Sequence, residues 1–137
     1  MPEVPRKTVM VPVTYQSNPQ HRDMTPNKSQ WTISEQAELA VFESARRNNW
    51  LLTSTGWGLH CPAGQANYLG VDRDRLKEVF IAKFTDDTRS NVWHGYPVLN
   101  DSGSNRPPHA VLRDWLVMAL IRPSTARRVS QGRPCGL

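Results

Sequence analysis

Val9, Val11, Val13 and Tyr15 recur at every second position, as the inward face of a strand does. Pro12 falls on the opposite parity and has no N–H to give a ladder, which predicts a place at the edge of a sheet. From Gln16 to Gln30 the mixture of Asn, Pro, Gln, His, Asp and Ser predicts a loop or mobile arm. A helix is then announced by Thr32 and Glu35 in capping-box spacing, with Ala37, Ala40, Val41 and Ser44 as its buried stripe. It should end near Asn48-Asn49, with Arg46 and Arg47 at the negative end of the helix dipole.

Trp50–Ser54 and Trp57–Cys61 flank a Thr55-Gly56 turn signal and predict a hairpin, followed by a surface loop over 62–67. Asp72 is placed to cap a short helix carrying Leu76 to about Glu78, after which Phe80, Ala82 and Phe84 alternate as a strand. Asp86–Asn91 is turn-like, Val92–Val98 is a returning strand ended by Pro97, and Leu99–Arg106 is a flexible loop. Pro107-Pro108 opens a helix whose face is Val111, Leu112, Trp115 and Ala119. Towards Ile121 that helix is apolar on every side, which predicts deep burial against the sheet or a partner, and Pro123 stops it. Strands and helices without regular strand–helix–strand alternation predict an α+β fold, a small mainly antiparallel sheet packed against two or three helices.

Length adds one constraint: 137 residues suit a single domain over 1–137, with a mobile arm at about 16–30 and a mobile tail at about 124–137. Charge adds a second. Lysine and arginine number 17 against 12 acidic residues, a formal +5, and the pI is near 9.7, which suits a partner bearing phosphates or an acidic surface. Cys61 and Cys135 show no paired spacing, so a reducing, cytoplasmic setting is expected, with neither a disulfide framework nor a zinc ribbon. Neither the N-terminus nor any later apolar run has the length of a signal peptide or a membrane span.

The densest candidate chemistry is Val92-Trp93-His94-Gly95-Tyr96-Pro97-Val98. In one reading His94 and His109 form an acid–base pair, with Lys83, Arg89 or Arg106 stabilising a phosphate, the inventory of a metal-independent, toxin-like ribonuclease. In the plainer reading Trp93 and Tyr96 are core or rim aromatics and His94 is a surface strand residue. Asp86 and Asp87 with His94 suggest a divalent ion, and His60-Cys61 a zinc ligand pair, but adjacent aspartates usually form a solvated turn, and neighbouring strand residues face opposite ways. No metal or cofactor is therefore expected, and no phosphate-binding glycine loop, dinucleotide fingerprint or nucleophile elbow is present. Of five tryptophans, Trp115 reads as core, whereas Trp50, Trp57 and Trp93 are candidates to stack on single-stranded nucleic acid beside basic residues.

The leading expectation is thus a small basic accessory or regulatory protein that engages nucleic acid (RNA or single-stranded DNA) or an acidic protein partner, with Trp50, Trp57, Lys83, Arg89, Trp93, Tyr96 and Arg106 as binding residues. The ribonuclease using His94 and His109 is one alternative. The other is a subunit of an oligomeric assembly, associating through the helix at 111–121.

Overall fold

The computed structural model describes residues 12–133 and 136–137. Its elements are β1 Thr14–Tyr15, β2 Gln30–Trp31, α1 Glu35–Arg47, β3 Thr55–Leu59, β4 Gly70–Val71, β5 Glu78–Val79, β6 Ile81–Thr85, β7 Val92–Val98, α2 His109–Val117 and α3 Pro123–Ser130. They build a four-stranded sheet in the order β1-β7-β6-β3 and a three-stranded sheet in the order β2-β4-β5. Every pairing except β1 with β7 is antiparallel, so the fold is α+β, as the patterning predicts. β1 lies at a sheet edge, where Pro12 places it, while Val9 and Val11 fall outside the described residues.

α1 starts later than the capping box suggests, because Ser34 and not Thr32 accepts the N–H of Ala37, at 3.1 Å. Its buried stripe is Glu38, Val41, Phe42 and Ala45, and Ala40 points outward. That stripe packs on the sheet where the strands carry their smallest residues. A methyl group on Gly58 would lie 2.9 Å from Val41 Cγ1, and one on Gly95 would lie 2.4 Å from the Phe84 ring, so both glycines are there for close approach. The three-stranded sheet closes on β7: the Trp31 indole donates to the Gly95 carbonyl at 3.3 Å, and Gly70 leaves room for the Pro97 ring. Pro97 stays inside β7, opposite Ala82, and does not end it.

Further expectations are corrected. The predicted hairpin around Thr55-Gly56 contracts to a single bridge, Leu51 to Gly56, because β3 begins at Thr55 and pairs along its length with β6. The helix expected after Asp72 is a turn between β4 and β5, in which the Asp72 carboxylate accepts the N–H groups of Leu76 and Lys77. Leu76 is consequently 83% exposed.

The segment 16–30 holds a 3-10 turn, Pro19–His21, and buries His21, Ser29 and Gln30; within 124–137, residues up to Ser130 form most of α3, with Thr125, Ala126 and Val129 buried. α2 ends at Val117, before the predicted Ile121, since Ala119 adopts φ 56° and turns the chain into α3. Trp115 is core, edge to face with Trp50 at 5.9 Å. No helix among the described residues is long and apolar enough to cross a membrane.

Candidate functional site

Strand alternation sorts the residues of β7. Trp93, Gly95 and Pro97 are buried, and His94 and Tyr96 project from the opposite face, half-buried. Across the β6 register His94 faces Thr85 and Tyr96 faces Lys83. His94 and Tyr96 line a polar cleft of about 690 Å³ whose other walls include His21, Lys28, Asp74 and Asp87. The 3-10 turn at 19–21 delivers His21, whose ring stacks on Tyr96 at 5.1 Å and 15°, with Nδ1 2.7 Å from the Ser29 carbonyl oxygen. Burial pulls the His21 imidazole below its ordinary pKa, an effect that the Ser29 carbonyl opposes. Tyr96 is raised, first by burial and then by the negative charge of Asp87.

Behind the cleft lies a buried ionic cluster that the sequence pattern does not announce as such. Glu38, with no exposed surface, accepts hydrogen bonds from the Tyr15 hydroxyl, Ser17 Oγ at 3.0 Å and Arg22 Nε at 2.8 Å. A second guanidinium nitrogen of Arg22 pairs with the same carboxylate at 2.7 Å, and Nη1 donates to the Ile33 carbonyl. Burial, then the bond to Glu38, raises the Tyr15 pKa well above its ordinary value, so the phenol remains a donor. The cluster ties the segment carrying β1 and His21 to α1, and thereby positions one wall of the cleft.

The structure separates the two histidines nominated for acid–base chemistry. His94 lines the cleft under β7, whereas His109 lines a groove between α2 and α3, so they do not share a site. Lys83 is buried; its ammonium donates to the Ser104 carbonyl at 2.6 Å and lies 5.6 Å from the Trp57 ring centroid. Burial lowers its pKa against the opposing pull of Asp87. Arg89 sits in the exposed turn at φ 51° and lines neither cavity. The Arg106 guanidinium packs against Gly132, beyond α3. Trp50, Trp57 and Trp93 are each no more than 4% exposed and have no face open for a base, which corrects their nomination as stacking residues. Of the expected binding set only Tyr96, beside His94, reaches the cleft.

Asp86 is withdrawn from metal chemistry by its turn, since its two oxygens accept the N–H groups of Ser90 and Asn91. Among the described residues no group of three or more His, Cys, Asp or Glu side chains is placed to hold a metal ion. Cys61 is a half-buried free thiol whose pKa burial pushes up.

The second cavity, about 710 Å³, runs between α2 and α3. Leu112, Leu116, Pro123 and Ala126 supply its apolar surface, Arg113 and Arg127 its charge, and no carboxylate side chain lines it. Beside it the end of α2 is open, in contrast to the burial its composition predicts: Val117 is 78% exposed and Met118 47%. Sequence reasoning missed His21 and Glu38, although each left a trace. Asn18-Pro19 is an N-cap followed by a proline at the first turn position, and Glu38 stands three, four and seven residues before Val41, Phe42 and Ala45, on the same face as the apolar stripe and at its N-terminal end. No family model, curated protein or solved structure matches this chain.

Proposed function

We propose that this protein is an accessory binding protein whose α2–α3 groove takes an acidic, amphipathic segment of a protein partner. The observation that carries this reading is the groove itself, apolar between two helices, lined by Arg113 and Arg127, with no carboxylate to oppose an acidic ligand. Such a groove matches a helix that presents apolar residues three and four apart and carboxylates beside them. The surrounding sequence supports the same sign of partner, because residues 115–137 contain four arginines and no acidic side chain. Nucleic acid fits this face less well. Phosphates gain nothing from an apolar floor, and the indoles that would stack on bases are in the core.

A designed 16-residue helical peptide with leucines at helical spacing and glutamates elsewhere tests the reading, alongside a scrambled peptide of equal charge and a single-stranded oligonucleotide. Preferential binding of the amphipathic peptide is expected, weakened by salt and lost in Leu116→Glu and Arg127→Glu. Equal binding of the scrambled peptide, or preference for the oligonucleotide, overturns it. A stable oligomer in sedimentation, dispersed by Leu116→Glu and blind to the peptide, would make the groove a contact between copies instead.

A further inference from the structure

The cleft under β7 shares no lining residue with the α2–α3 groove. His21 Nδ1 is 2.7 Å from the Ser29 carbonyl oxygen and His94 Nδ1 is 3.0 Å from that of Gln16. A carbonyl only accepts, so in both rings the hydrogen sits on Nδ1, and in the neutral ring Nε2 keeps its lone pair. Among the described residues neither Nε2 has a hydrogen-bond partner, and neither has the Tyr96 hydroxyl, although His21 is only 8% exposed. The stack of His21 on Tyr96 holds two of these groups in fixed orientation.

The charges lining the cleft run against the sign of the whole chain. Asp72, Asp74, Asp87 and Asp101 line it against Lys28 and Arg73, and of these carboxylates only Asp72 is engaged, by the backbone of its own turn. A phosphate entering here would meet carboxylates and lone pairs. A ligand rich in N–H donors and positive charge would find an acceptor for each. The volume, about 690 Å³, is ample for an extended chain bearing two or three amines.

We propose that this cleft binds an organic cation with several N–H donors, a polyamine or the basic side chains of a peptide, its ammonium or guanidinium groups donating to the histidine Nε2 atoms and balanced by Asp87 and Asp101. Titration of the full chain with spermidine, followed by calorimetry and by the ring resonances of His94 and Tyr96, tests it. Saturable one-to-one binding is expected, weakened about tenfold in Asp87→Asn and in His94→Phe, both on partly or fully exposed positions where folding should persist. A Lys-Arg dipeptide and inorganic phosphate are the companion probes. Tighter spermidine binding identifies a free polyamine as the ligand class, and tighter dipeptide binding a basic peptide. Phosphate binding in place of both cations, no saturable cation binding, or binding unchanged in both variants overturns the proposal.

Discussion

Replacing Glu38 by glutamine tests whether the buried ionic cluster holds the N-terminal segment to α1. The amide keeps the volume of the side chain and one carbonyl oxygen, so packing against Val41 and Phe42 is preserved and the change is electrostatic. What it removes is the negative charge facing Arg22, whose Nε and second terminal nitrogen lie 2.8 and 2.7 Å from the carboxylate. The guanidinium is largely buried and is left without a counter-ion, while the Tyr15 hydroxyl meets an NH2 group in place of an acceptor oxygen. Losing one partner of a buried pair costs about 3–5 kcal/mol, most of it the penalty of the charge left behind. For a chain of this size that corresponds to a fall in Tm of roughly 10–20 °C.

Urea unfolding monitored by tryptophan fluorescence reads the change directly, because Trp93 contacts Phe42 on the same helix, with ring centroids 6.2 Å apart. The double variant Arg22→Met/Glu38→Leu removes both charges and should recover most of the loss, since an apolar pair of similar volume needs no desolvation. A Glu38→Gln protein within about 1 kcal/mol of the parent would refute the reasoning. It would mean that water reaches Arg22 and that the cluster does not hold the segment.

Gly95→Ala should destabilise by about 1–3 kcal/mol or more, because the new methyl falls 2.4 Å from the Phe84 ring and 2.9 Å from the Tyr15 hydroxyl; an unchanged urea midpoint would show that β7 shifts freely. Trp115→Ala should cost about 3–5 kcal/mol by emptying a fully buried site against Trp50, whereas an unchanged Tm with lost self-association would identify an interface. Burial lowers the pKa of His21 and, to the same sign, of His60, so the unfolded chain takes up these protons first. Their contribution to stability is complete above the ordinary imidazole value near 6.5 and is lost as pH falls from there towards the depressed folded values, at no more than about 1.4 kcal/mol per pH unit for His21 and by less for His60, which solvent screens. Thermal melts between pH 7.5 and 5 should show that slope, flattened in His21→Gln; equal slopes in both proteins would contradict it.

Local pattern determined much of the element inventory. The period of two in β7, the basic last turn of α1, the Pro-Pro entry to α2 and the acidic turn before Asn91 depend on residues within a few positions of one another, and the structure keeps all of them, whereas the cap of α1 moves from Thr32 to Ser34. The same locality explains the departures. Asp72 binds backbone N–H groups equally well in a helix cap or a hairpin turn, and the pairing of β4 with β5 selects the turn. The apolar end of α2 reads as core in one dimension, but Ala119 turns the chain before a neighbour covers Val117.

The candidate site was half legible. His94 and Tyr96 stand out because they crowd one strand, while His21 joins them from 73 residues earlier, through a 3-10 turn anchored by contacts that no sequence window contains. Trp50, Trp57 and Trp93 have the composition of a stacking surface, and only the tertiary packing decides that their rings face inward. Sequence determines which side chains are available and, through local hydrogen bonds and period, which way most of them point. Which of them meet is set by non-local burial, the term that pulls Glu38 and Arg22 together inside the core and leaves His109 on the far helix.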